Sequence, residues 1–166
     1  MNATVTDRER DVLLASLASQ REHVLGILAG LAEEDFQRPV LPTGWNCVRL
    51  VNHLALDVER WWFHHIMAGE DTATALGESG WTAEDGLTGA AVLARYRAEI
   101  ARADEVIAAT SLDARPAWWP EGVFGSWRLG SAREILMHVI VETACHAGHL
   151  DAVRELLDGR TWLILE

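Results

Sequence analysis

The chain has 166 residues, 49% hydrophobic and 23% charged, which excludes disorder as the main state and suffices for one core without disulfide staples. Its net charge of -11 comes from 14 basic residues, all arginine, against 25 acidic ones, and a surface so acidic excludes a phosphate backbone as partner. No run approaches the ~18 apolar residues of a membrane span, and the charged stretch Met1 to Asp11 lacks a signal-peptide core, so a cytoplasmic protein with no membrane partner is expected.

Four helical segments can be read, and no strand. The first runs from about Asp7 to Leu31, with Thr6 and Glu9 as a capping box and Val12, Leu13, Leu17, Val24, Leu28 and Leu31 at helical spacing. Pro39, Pro42 and Gly44 break the chain before a second helix, Asn46 to Met67, for which Asn46 suits the N-cap. Residues Ala68 to Gly89 hold five glycines and read as a long connection, with Trp81 as its hydrophobic anchor. The third helix spans about Ala90 to Ala109. A second irregular stretch carries Trp118, Trp119 and Trp127 among prolines and glycines, either as a lid over a pocket or as an anchor for the loop. The last helix opens on a capping box, Ser131 and Glu134, and stops at Gly159. Rods of ~20 residues or more, about 30 Å each, suit an all-α four-helix bundle, a single domain over residues 1–166.

The last helix carries the chemistry. With His138 at zero and about 100° per residue, Glu142 falls near ~40°, His146 near ~80° and His149 near ~20°. Ile135, Val139, Val153, Leu156 and Leu157 share that arc, while Arg133, Asp151 and Glu155 gather opposite. A carboxylate and three imidazoles are therefore expected in the middle of the buried face, where an uncompensated charge costs several kcal/mol, roughly. A divalent metal compensates it economically; buried water and a Glu–His hydrogen bond are the bland account. Glu142 and His146 stand at i and i+4, one turn apart. The second helix offers His53 beside the apolar arc Leu50, Leu54, Val58 and Trp61, with Asp57 one turn on for a hydrogen bond to an imidazole. Two histidines and one carboxylate leave coordination positions open, as at catalytic sites; zinc fits first, and nickel, iron and manganese are also accommodated.

Other features are weaker. Cys145 is a fourth ligand, a redox-sensitive thiol or, preferred, small core packing. His64 and His65 diverge by roughly 100°, so that one lies near the metal at most and the other is exposed. His23 is expected at the surface. Arg49, Arg60 and Arg128 are candidates for a substrate carboxylate, with surface ion pairs as the preferred account. Cys47 and Cys145 match no CxxC spacing, and the His-Glu-x-x-His, Gly-x-Ser-x-Gly, Gly-x-Gly-x-x-Gly and P-loop patterns are absent. That removes thermolysin-type proteases, typical serine esterases and common nucleotide enzymes.

The run Glu-Thr-Ala-Cys-His-Ala-Gly-His-Leu-Asp-Ala-Val-Arg-Glu-Leu-Leu-Asp-Gly, residues 142–159, resembles the last-helix signature of the DinB-like superfamily, and within it the DUF664 branch. Residues 42–63, Pro-Thr-Gly-Trp-Asn-Cys-Val-Arg-Leu-Val-Asn-His-Leu-Ala-Leu-Asp-Val-Glu-Arg-Trp-Trp-Phe, resemble the second helix of the same branch. The resemblance implies a DinB-like four-helix bundle with a metal near one end. Its usual ligands are three histidines; His53 and His146 match two of them, and Glu142 replaces the third, as in mycothiol-dependent maleylpyruvate isomerases. Those isomerases carry a further C-terminal domain that these 166 residues do not include, so isomerisation is not the expected activity. Characterised relatives transfer mycothiol or bacillithiol to an electrophile and are often homodimers. The implied function is a metal-dependent thiol S-transferase. A metal-bound thiol, mycothiol first, would attack a small electrophile, with His149 or Asp57 taking up the proton and His138 nearby. The alternative is a noncatalytic metal- or small-molecule-binding module of the stress response.

Overall fold

The computed structural model describes residues 5–77, 79–82 and 86–162, with side chains from residue 7 onward. Four long rods carry it. They are α1 (Val5–Ile27), α3 (Cys47–His53) continuing directly into a π-helical segment (Leu54–Met67), α5 (Gly89–Ala109) and α6 (Ala132–Asp158). Two short turns, α2 (Glu33–Gln37) and α4 (Thr72–Ala75), sit in the connections, and the described residues contain no strand. The helix α1 lies along α6, while the π-helical segment lies between α5 and α6. The chain is an all-α four-helix bundle. No helix among the described residues is long and apolar enough to cross a membrane.

Most helix ends follow local chemistry. Asn46 accepts from the Arg49 amide at 3.0 Å, and Thr88 accepts from that of Ala91 at 3.1 Å, each satisfying an orphan first-turn donor. At α6, Ser131 accepts from the Glu134 amide, and the Glu134 carboxylate reaches back to the Gly130 amide at 2.9 Å. Gly159 ends that helix in the left-handed conformation, φ 78°. The first helix differs from expectation at both ends. It already runs at Val5, so Thr6 sits inside it rather than capping it, and the Thr6 side chain lies outside the described residues. It stops at Ile27 rather than Leu31, and α2 follows. There Phe36 is buried against Gly89, where a Cβ would come within 2.4 Å of the ring; only glycine lets α2 close on the start of α5.

The second rod explains its own widening. Its buried apolar positions recur every four residues, at Leu54 and Ala55, Val58 (with Glu59), Trp62 and Phe63, and Ile66 and Met67, and His64 and His65 fill the last interval. On an α-helix a four-residue repeat drifts about 40° per turn, and three repeats carry it about 120° off the core. A wider, i→i+5 turn takes up that drift. The apolar arc consequently passes through Trp62, not through the expected Trp61, which is only half-buried.

Buried ions tie three rods together. Arg21 of α1 donates to both oxygens of Glu59, at 2.7 and 2.6 Å, and to Asp104 of α5 at 2.7 Å. Glu59 is fully buried, which pushes its carboxyl up, and the Arg21 charge opposes that shift. Near the C-terminus, Trp162 stacks on His23 at 5.3 Å, and His23 Nε2 meets Asp151 at 2.8 Å. His23 is thus half-buried rather than a free surface residue.

Candidate metal centre

The core face of α6 is formed by Ala132, Ile135, Leu136, Val139, Thr143, Ala147, Leu150 and Val153. His138, Glu142 and His146 stand on its flank, half-buried, and not in the middle of the face as the wheel suggests. Leu156 and Leu157, counted with the core on that wheel, are correspondingly 60% exposed and half-buried. The displacement has a chemical consequence. Groups on the flank border both the apolar interior and a route to solvent, which a substrate-binding centre needs.

From this flank Glu142 and His146 face His53 of α3. One ligand atom from each of the three residues lies within 4.8 Å of the others. The imidazoles of His53 and His146 meet edge to face, with centroids 4.9 Å apart. His146 Nε2 stands 3.7 Å from Glu142 Oε2, beyond hydrogen-bond range, so acid and base do not satisfy each other. Burial, then the neighbouring His53 and His149, lower the His146 pKa to about 4, which keeps the imidazole neutral and its lone pair available at pH 7.

A chain of hydrogen bonds orients His53. Its Nδ1 lies 2.7 Å from Asp57 Oδ2, so this nitrogen donates and Nε2 keeps the lone pair for the cluster. The other Asp57 oxygen accepts from the Gly80 amide at 2.8 Å. Gly80 in turn is held by Asn52, whose amide nitrogen donates to its carbonyl at 2.7 Å, and Arg95 of α5 donates to Asn52 at 2.6 Å. A Cβ on Gly80 would stand 2.5 Å from His53 Cα and 2.8 Å from the Asn52 carbonyl oxygen. Trp81, read as the hydrophobic anchor of its loop, stacks on the His53 ring at 4.3 Å and remains 41% exposed. Neither Gly80 nor Arg95 carries a periodic or motif signal in the sequence; the fold brings them to Asn52.

Beside the cluster opens a cavity of about 490 Å³. His53, Asp57, His138 and Glu142 form its polar wall, and aromatic rings form most of the rest. His138 lies against Trp62 at 4.4 Å, and burial lowers its pKa. The stretch 118–127 anchors its loop and also lines the cavity. Trp119 packs on Trp62, anchoring the loop, while Phe124 and Trp127 line the cavity. His149 is exposed, with Nδ1 3.3 Å from His146 Nδ1 and its ring beside Trp45.

Two expectations are overturned. Cys145 is exposed rather than packed in the core, because it falls on the far side of the Glu142 flank from Thr143 and Ala147. His64 and His65 are both buried and neither is near the cluster: His64 faces Glu99 across 3.5 Å, and His65 bonds the Glu70 carbonyl oxygen. The wider turn brings both rings inward, where an α-helix would have separated them. For two of the arginines the preferred account stands: Arg60 pairs with Glu99, and Arg128 lies over Trp119 near Glu121.

Two imidazoles and a carboxylate converging from two rods, beside a cavity, are a donor set that could hold a metal ion. A model of the family described as mycothiol-S-transferase matches residues 12–159, nearly the whole chain. The chain belongs to that family, in keeping with its DinB-like resemblance. No curated protein and no solved structure matches it.

Proposed function

We propose that the chain is a mycothiol S-transferase in which His53, Glu142 and His146 hold one divalent cation, zinc first among zinc, nickel, iron and manganese. One observation carries this reading. Three good ligands from two rods approach within 4.8 Å, leave one another unsatisfied and border a cavity of ligand size. The donor set suits the cation: neutral imidazoles, one carboxylate and room for further ligands. A divalent cation held there would lower the pKa of a thiol at its open position, so that the cosubstrate reacts as the thiolate.

The chain's own residues do the rest. Asp57 fixes His53 in the tautomer that presents Nε2, and with both its oxygens engaged it is a positioning residue rather than a proton acceptor. His149, exposed beside His146, is the group that takes up the thiol proton. The aromatic wall of the cavity binds the electrophile and excludes water. The sulfur then forms an S–C bond. With a halide substrate the displaced electron pair departs with the halide; with an activated alkene it settles on the conjugated acceptor, which recovers the proton. A purely structural metal site would close its coordination sphere and would not border a cavity as Asp57 and Glu142 do.

The test is a reaction of the zinc-loaded chain with mycothiol and a panel of electrophiles, read by mass spectrometry. The S-conjugate is expected with the unaltered chain and lost in His146→Ala, which retains its helical circular dichroism. No conjugate across the panel from metal-loaded protein overturns the reading.

A further inference from the structure

The composition of the cavity wall discriminates among electrophiles. Trp61 and Trp62 reach it from the π-helical segment, and Phe124 and Trp127 from the loop 118–127. These rings already pack on one another. Phe124 stacks on Trp62 with centroids 5.7 Å apart and planes 21° apart, and Trp127 stands edge-on to both at 5.4 and 6.0 Å. A wall so built offers flat faces and positive edges, to which a planar π-system adds with little loss of entropy. Saturated molecules of equal volume gain only the area term.

Charge narrows the choice further. The ionisable side chains of the wall are Asp57, Glu142, His53 and His138, and no arginine among the described residues lines it. The two arginines of the adjoining segments are engaged elsewhere, Arg60 with Glu99 and Arg128 with Trp119 and Glu121. Two carboxylates balance a divalent cation, so the site has no excess positive charge to receive an anionic substrate, and the protein as a whole carries -11. A substrate carboxylate would be desolvated here beside two others without a partner.

We infer that the wall formed by Trp61, Trp62, Phe124 and Trp127 is a stacking subsite that selects planar, conjugated and non-anionic electrophiles, such as activated aryl halides and quinones. Phe124 and Trp127 set that specificity. The inference rests on the transferase reading for its reaction, and on the cavity alone for its binding. Trp127 is 43% exposed, so it can be replaced without opening the core.

The binding arm uses the metal-stripped full chain and unreactive probes in calorimetry: 1-naphthol, its carboxylate counterpart 1-naphthoate, and the saturated decahydro-1-naphthol. Naphthol is expected to bind about three- to tenfold more tightly than either of the others, the range of an aromatic pairing. Trp127→Leu and Phe124→Leu should each erode that preference. Equal affinities for the three probes in the unaltered chain, which requires no variant to fold, overturn the subsite. The kinetic arm compares kcat/KM for an aryl and an alkyl halide with mycothiol and metal-loaded protein. Equal kcat/KM overturns the subsite and leaves the transferase reading standing. Preferential naphthol binding with no conjugate from any electrophile does the reverse: it supports the subsite and sinks the transferase.

Discussion

Two clusters of charged and titratable groups flank the second rod, and they are built from similar parts to different ends. On one side Glu59 is fully buried and takes both its hydrogen bonds from Arg21, which also holds Asp104. On the other, Glu142 and His146 stay 3.7 Å apart, half-buried, facing His53 beside a cavity. The first cluster is complete: each charge has a bidentate or charge-assisted partner and no ligand is needed. The second is held in place by Asp57, Gly80, Asn52 and Arg95, but its own lone pairs converge on a common point. The lesson is that burial of polar groups does not mark a functional site by itself. What marks one is careful orientation combined with mutual dissatisfaction.

The contrast can be broken in several ways. The largest effect belongs to the complete cluster. Arg21→Ala strands the Glu59 carboxylate and should cost about 3–5 kcal/mol, read as a lower urea midpoint. His146→Ala at the other cluster should leave the urea midpoint nearly unchanged while thiol transfer falls at least about 100-fold and bound metal is lost. Asp57→Asn keeps every ligand but releases the His53 tautomer, and should weaken metal binding about 10- to 100-fold in a competition titration with a chelator.

The smallest effect concerns pH. His146 takes its proton near pH 4 when folded and near its ordinary 6.5 when unfolded, so the unfolded chain binds more protons between those values. Stability of the metal-stripped chain therefore falls as pH drops from about 6.5 towards about 4. His64 and His138, also lowered by burial, act with the same sign. His146→Gln should accordingly flatten the slope of urea midpoint against pH without abolishing it; an unchanged slope would count against the environment described for His146.

The helices and caps were legible because they depend on local chemistry: Asn46, Ser131, Glu134 and Gly159 act on neighbours within a few residues. The pairing of His53 with Glu142 and His146 was legible because polar groups at helical spacing interrupt two apolar stripes. The π-helical widening escapes a 3.6-residue periodicity, although its four-residue repeat is present in the sequence. This is why Trp62 replaces Trp61 in the core, and why His64 and His65 are both buried. Asp57 was legible one turn from His53, but its extension through Gly80, Asn52 and Arg95 was not, since a loop residue and two helices meet there only through tertiary structure.

X-ray absorption at the zinc edge, on protein loaded with one equivalent and then titrated with mycothiol, tests the central claim most directly. Two imidazoles with oxygen ligands are predicted before the thiol, and one sulfur scatterer at about 2.3 Å after it. A chain that retains no zinc would contradict the account. So would a zinc spectrum that ignores the thiol and keeps its imidazoles in the His53→Ala and His146→Ala variants.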